Sequence, residues 1–96
     1  DGGGEHWIDR QQREGKADET FLRLLDQVTE QGRPVSPKPR AGNYAPKAMA
    51  RMPDREGLNK SDFEQAMERL FRAETITVAT RKDEHRNVRE CVVRAA

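Results

Sequence analysis

The amino-acid sequence predicts a winged helix-turn-helix domain, which is mainly α-helical and carries a small β-hairpin. Three observations predict this fold. Three segments place apolar residues at the spacing of an amphipathic helix, a proline-rich segment separates the first two, and the C-terminal part alternates apolar and polar residues as strands do. This is the element order of three helices followed by a two- or three-stranded wing. The rival interpretation is a three-helix bundle with a loose C-terminal hairpin.

The first helix is predicted from Asp18 to Gln31, because apolar residues recur there on one face. That face consists of Phe21, Leu24, Leu25 and Val28. Gly32 is well placed for the left-handed residue that follows many helices. The polar residues 1–17 are predicted to form a linker or an N-terminal helical extension, with Gly15 as a weak interruption.

A short second helix is predicted to begin near Asn43 and to end at Pro53. Pro46 falls in its first turn, where a missing N–H is harmless. The prolines of residues 33–40 exclude a helix in the segment before it. Val35 and Ser36 of that segment are candidates for a very short strand.

The third helix has the clearest start signal in the chain. Asn59 is predicted to be its N-cap, with Asp62 at the third helical position as in a capping box. Leu58 and Phe63 flank this cap as a hydrophobic staple. The helix is predicted to end near Ala73.

Two β-rich runs follow, Thr75–Thr80 and Asn87–Arg94, with a charged loop over residues 81–86 between them. The hairpin completes a winged-helix domain that covers residues 18–96. Cys91 lies in the second run and is predicted to be a small buried apolar residue.

The composition excludes several classes of protein. The chain has 96 residues, of which 33% are hydrophobic and 36% charged, and no apolar run approaches the roughly 20 residues of a membrane span. With one cysteine and two histidines, it lacks the side chains for a disulfide or for a zinc site of three or four Cys and His ligands. Phosphate-binding, metalloprotease and nucleophile-elbow motifs are absent from the sequence. We therefore expect no enzymatic activity in this chain, no cofactor, no metal and a cytoplasmic location.

Residues 18–80 carry a resemblance to a known family. The matching pieces are Phe21–Asp26, Gln31–Ser36, Lys38, Pro39, Asn43–Pro46, Phe63–Phe71, and Ile76 with Val78. Together they resemble the C-terminal region of RepA-like, RecA-fold ATPases (AAA family) of bacterial phage and plasmid-derived elements. The chain departs from that pattern at Glu74, where those proteins have a glycine, and at its less basic hairpin tip. The resemblance implies an accessory domain of a replication or recombination ATPase, with the ATP-binding motif outside these residues.

The charge pattern favours weak, nonspecific DNA binding. Residues 33–55 carry six basic side chains and one acidic one, and residues 75–96 carry five and three. Helix three and the wing are the expected contact elements. The candidate residues are Lys38, Arg40, Lys47, Lys60, Gln65, Arg69, Arg72, Arg81, Lys82 and Arg86. The three acids Asp62, Glu64 and Glu68 on the same helix repel phosphate, which argues against sequence-specific recognition.

The alternative is a protein-interaction or oligomerisation module. Such a domain would dock on the parent ATPase core, on another partner or on a second copy of itself. Trp7, Tyr44 and Phe71 are candidate anchors if they are exposed. The sequence alone leaves both functions open, and it gives neither the DNA target nor the identity of a protein partner.

Overall fold

A computed structural model describes residues 2–82 and 88–95 of the protein. The side chains are described for residues 12–82 and 88–95. The described residues form a mixed α/β structure with three helices and one antiparallel hairpin. In chain order the elements are α1 (Gly2–Glu30), α2 (Ala45–Met49), α3 (Lys60–Arg72), β1 (Ile76–Lys82) and β2 (Val88–Arg94). The predicted order of elements is therefore confirmed for these residues. None of the helices described combines the length and the apolar character needed to cross a bilayer.

Helix α1 is longer than predicted, since it begins at Gly2 rather than at Asp18. It continues through Gly15 without a break, so residues 2–17 form a helical extension and not an irregular linker. Its end agrees with the prediction. Gly32 has a φ of 69°, its N–H donates to Thr29 O at 3.1 Å, and the next N–H donates to Val28 O at 2.8 Å. These two bonds make a Schellman motif, which satisfies the last carbonyls of the helix.

Helix α3 begins as predicted. The Asn59 side chain accepts a hydrogen bond from the Asp62 N–H at 2.9 Å, and the Asp62 carboxylate accepts one from the Asn59 N–H at 3.0 Å. Leu58 and Phe63 are both buried on either side of this capping box, where a hydrophobic staple places them. The first turn is thus determined by side chains within six residues of sequence.

The end of α3 is a second Schellman motif. The C-cap is Ala73, as predicted, and Glu74 follows it with a φ of 60°. The Glu74 N–H donates to Phe71 O at 3.0 Å, and the Thr75 N–H donates to Leu70 O at 2.9 Å. A glutamate therefore makes the left-handed turn for which glycine is the usual residue.

Helix α2 has only five residues, and Pro46 lies in its first turn. It ends at Met49, which is earlier than the predicted end at Pro53. The short extended segment at Val35 and Ser36 lies beside β2, because the Val92 N–H donates to Val35 O at 2.8 Å. Ser36 forms an isolated bridge with Tyr44. The short extended piece predicted among the prolines is present.

The hairpin pairs β1 with β2 antiparallel, from Ile76 opposite Arg94 to Lys82 opposite Val88. Strand β1 is longer than predicted, so Arg81 and Lys82 belong to the strand and not to the loop. The predicted loop residues that follow them lie outside the described part of the chain.

The core lies where α1, α2, α3 and the base of the hairpin meet. Its fully buried large side chains include Phe21, Leu24, Leu25, Met49, Phe63 and Ile76. Cys91 is buried as predicted, whereas Val78, two residues along β1 from Ile76, is 40% exposed. The hairpin therefore contributes to the core through its base.

Candidate nucleic-acid interface

The outer face of α3 is polar and only weakly charged. The helix buries Phe63, Ala66, Met67 and Leu70. On the opposite face four side chains are exposed at helical spacing, and these are Ser61, Gln65, Glu68 and Arg72. Two of the predicted contact residues, Gln65 and Arg72, therefore lie together on this face.

Asp62, one of the three acids of α3, is neutralised by α1. Its carboxylate binds the Arg13 guanidinium with two hydrogen bonds, at 2.8 and 3.1 Å. The hydrogen bond from Arg13 is the main cause of a pKa for Asp62 below its ordinary value, with the Asn59 N–H and the charges of Arg13 and Arg69 acting in the same direction. This carboxylate is therefore ionised at neutral pH, and its charge faces a cation rather than the outer surface.

Glu64 is turned toward α2, where it accepts a hydrogen bond from the Tyr44 hydroxyl at 2.9 Å. Burial, this bond and the charges of Glu64 and Glu68 raise the pKa of Tyr44 to about 12. Tyr44 consequently stays protonated and remains a donor. The Lys60 ammonium lies 5.8 Å from the centre of its ring, within the range of a cation–π contact. Lys60 itself is exposed at the edge of this cluster.

Arg69, a predicted DNA contact, is held inside the domain. Its guanidinium donates to the Asp18 carboxylate at 2.8 and 3.0 Å and to the Glu14 carbonyl oxygen at 3.3 Å. The Arg69 side chain is 27% exposed. Arg69 joins α3 to α1, so its charge does not face outward toward a ligand.

The hairpin presents several of the remaining candidates. Arg81 and Lys82 are exposed near the far end of β1, and Arg81 lies directly opposite Arg89 of β2. Lys38 is 3.8 Å from the Glu90 carboxylate, a weak exposed ion pair. Arg40 is exposed on the loop between the extended segment and α2. The predicted contact Arg86 lies outside the described residues.

A groove beside α2 contains Lys47, away from the other candidates. It has a volume of about 540 Å³, and its lining comes from the end of α1, the extended segment and α2, with no contribution from the described residues of α3. Lys47 shares it with Arg33 and Arg51. We call it the α2 groove. The spacing of residues 47 and 51 predicts Lys47 and Arg51 on the outer face of the second helix, but Arg51 was not among the predicted contact residues and Arg33 was missed altogether.

Two of the three candidate anchors for protein docking are buried or partly buried. Tyr44 is 4% exposed, and Phe71 is partly buried against the core. Trp7 lies in α1, in the part where side-chain environments are not described.

The described residues contain no cluster of three or more His, Cys, Asp and Glu side chains that could hold a metal ion. Comparisons with protein-family models, with curated proteins and with solved structures gave no match.

Proposed function

We propose that this chain is a non-catalytic domain of the winged-helix type that binds DNA weakly and without sequence specificity, through the outer face of α3 and the hairpin. The fold assignment is supported by the element order and by the Val92–Val35 hydrogen bond. This bond sets Val35 beside β2, at the edge of the two-stranded sheet, as a short extended segment before the second helix of a winged helix would lie.

The observation that carries the DNA proposal is the orientation of the acids on α3. Asp62 is bound by Arg13, and Glu64 is bound by Tyr44. Only Glu68 of the three remains on the exposed face with Arg72 and its polar neighbours. Asp62 is thus neutralised, and Glu64 keeps its charge but is turned toward Tyr44, so the electrostatic objection to a phosphate backbone along this face is smaller than the sequence suggests.

The expected affinity is low, because the exposed cations of the proposed contact surface are spread over α3, the hairpin and the loop before α2. Arg72 on α3, Arg81 and Lys82 on the hairpin and Arg40 on the loop are exposed. Phosphate contacts of this kind position a protein on DNA and give affinity that falls steeply with salt, but they do not read bases. The exposed hydroxyl and amide groups on α3 are too few for a base-reading surface.

The accessory role is the broader part of the proposal. It is supported by the resemblance of residues 18–80 to the C-terminal region of RepA-like ATPases. In such a parent chain, ATP hydrolysis would belong to another domain, and this one would hold nucleic acid near it.

The test is a fluorescence-anisotropy titration of single- and double-stranded DNA between about 50 and 200 mM salt. For Arg81→Ala/Lys82→Ala we expect weaker binding and a salt slope reduced by nearly two, since each lost phosphate contact removes about 0.9. The matched control is Lys47→Ala/Arg51→Ala, which removes the same charge from the α2 groove.

Equal salt slopes for the hairpin variant and the unaltered protein would contradict the wing contact. An absence of binding to either DNA at about 50 mM salt would contradict the function itself. Docking on a protein partner is then the remaining candidate, and the apolar floor of the α2 groove favours it.

A further inference from the structure

The α2 groove has an apolar floor. Val28 and Val35 at its base are each only 3% exposed, and they belong to the main core. Ala48 and Met52 are partly buried and extend this floor toward solvent. The groove volume of about 540 Å³ is in the range of established ligand sites, which is about 300 to 1,000 Å³.

The rim of the groove is cationic. Lys47 and Arg51 lie along one side, and Arg33 lies at the end that approaches the hairpin. Asp54 is the single carboxylate in the lining, and it accepts a hydrogen bond from the Gln27 amide at 3.2 Å. Neither Lys47 nor Arg51 forms an ion pair within the described part of the chain.

A phosphate backbone matches the rim but not the floor. It has no apolar groups to cover the partly buried Ala48 and Met52, and none of the described lining residues carries an aromatic ring on which a base could stack. A ligand that combines carboxylates with apolar side chains matches both parts of the groove.

We propose that the α2 groove binds a short acidic segment of a partner protein, with its apolar side chains on the floor and its Asp or Glu carboxylates at Lys47 and Arg51. In an extended segment, alternate side chains point the same way and are about 7 Å apart. Lys47 lies in α2 and Arg51 in the turn that follows it, four residues further along the chain, and both line the groove. The favoured ligand therefore has two acids separated by one apolar residue.

This inference does not depend on DNA binding, since it uses residues on a different surface. Lys47 and Arg51 belong to the groove, and Arg81 and Lys82 belong to the hairpin. Arg33 lines both the α2 groove and a smaller cavity next to Arg81, so it is left unchanged in the test.

The probe is a fluorescein-labelled synthetic peptide of alternating Asp and Leu, titrated against the full chain. Two comparison peptides replace Asp by Asn, which removes the charge, or Leu by Ser, which removes the apolar groups. We expect Lys47→Ala/Arg51→Ala to weaken binding of the Asp–Leu peptide about tenfold, the effect of losing two exposed ion pairs. We expect Arg81→Ala/Lys82→Ala to change it by no more than about twofold.

Amide shifts in NMR spectra locate the contact, and they should move for Ala48 and Gly42, which line the groove. Circular dichroism checks that each variant folds. The proposal is overturned if the Asp–Leu peptide does not bind, if the groove variant binds it unchanged, or if the Asp–Ser peptide binds equally well. It is also overturned if DNA binding is lost in the groove variant and retained in the hairpin variant, which would make the groove a nucleic-acid site.

Discussion

Two regions of the domain differ in whether their cations are paired. One region is the α1–α3 interface, and the other is the side that carries α2 and the hairpin. At the interface, Arg13 is bound to Asp62 and Arg69 is bound to Asp18, each at 2.8 Å. On the other side Arg94 of β2 is also paired, with Asp26 of α1 at 2.8 Å, but Lys47 and Arg81 make no ion pair with any described residue. Cations of the first kind hold helices together, and those of the second kind remain available to a ligand. The number of basic residues in a sequence does not separate these two groups.

The largest effect that tests this comparison concerns the core of the interface. Phe63 is fully buried, so Phe63→Ala should lower the free energy of unfolding by about 3 to 5 kcal/mol. The matched change on the hairpin is Val78→Ala, which removes a side chain that is 40% exposed and should lower it by less than about 1 kcal/mol. Urea denaturation measures both. Similar losses for the two variants would mean that the hairpin shares the core equally.

The second test removes the carboxylate at the start of α3. Asp62→Ala should lower stability by about 1 to 2 kcal/mol at neutral pH, because a capping side chain and its charged hydrogen bonds are lost. Arg13 keeps the pKa of Asp62 in the folded state below its ordinary value. The stabilisation is therefore complete above the pKa of an aspartate in the unfolded chain, which is about 3.9. It disappears as pH falls through the lower pKa that Asp62 has in the folded protein.

Urea titrations of both proteins at neutral pH and near about pH 2 measure this dependence. The stability difference between the unaltered protein and Asp62→Ala should shrink on acidification. A difference that grew would show that the carboxylate is not the stabilising form.

The third test compares two arginines on α3 that are three residues apart. Arg69→Ala should lower stability by about 1 kcal/mol, since its guanidinium is bound to Asp18 in a partly buried site. Arg72 is exposed, so Arg72→Ala should change stability by less than about 0.5 kcal/mol and should instead weaken DNA binding. Denaturation and anisotropy on the same two variants separate the roles. The comparison fails if Arg69→Ala is the variant that loses DNA affinity.

The smallest expected effect concerns backbone strain. Glu74 has a left-handed φ, and the turn it makes is closed by backbone hydrogen bonds, so Glu74→Gly should raise stability by about 0.5 to 1 kcal/mol. Glu56 also has a left-handed φ, of 54°, but its carboxylate binds Arg23 and Thr20 of α1. Glu56→Gly should therefore gain little or nothing. Thermal unfolding of both variants measures the contrast, and an equal gain would mean that the Glu56 contacts are not stabilising.

Helix α3 was predictable because its determinants are local. Its cap, its staple and its apolar stripe lie within a few residues of one another, from Leu58 to Leu70. The extension of α1 was less predictable, since residues 2–17 have no apolar stripe. Its later part is joined to α3 through Arg13 and Glu14, contacts that exist only in the folded domain.

The candidate site was predicted in outline only. Residue type alone did not distinguish Arg69 from Arg72, because their roles depend on which side of α3 faces α1. The α2 groove was harder still. Its cations come from separate positions at Arg33, Lys47 and Arg51, which the turn before α2 brings together. Its apolar floor uses core residues that the sequence assigns to packing alone.

The loop before α2 offers a place to engineer this protein. Its two ends are held by hydrogen bonds of 2.8 Å, from the Ser36 N–H to Asn43 O and from the Ala45 N–H to Ser36 O, and the Asn43 amide donates to Pro34 O at 2.9 Å. Pro39 and Arg40, at the tip between these bonds, are exposed. Doubling the length of such a loop costs only about 0.6 kcal/mol of closure entropy. A tag or a fluorescent reporter inserted there would lie beside Arg40, a proposed DNA contact, but outside the lining of the α2 groove, so the labelled protein would serve to measure ligands of that groove.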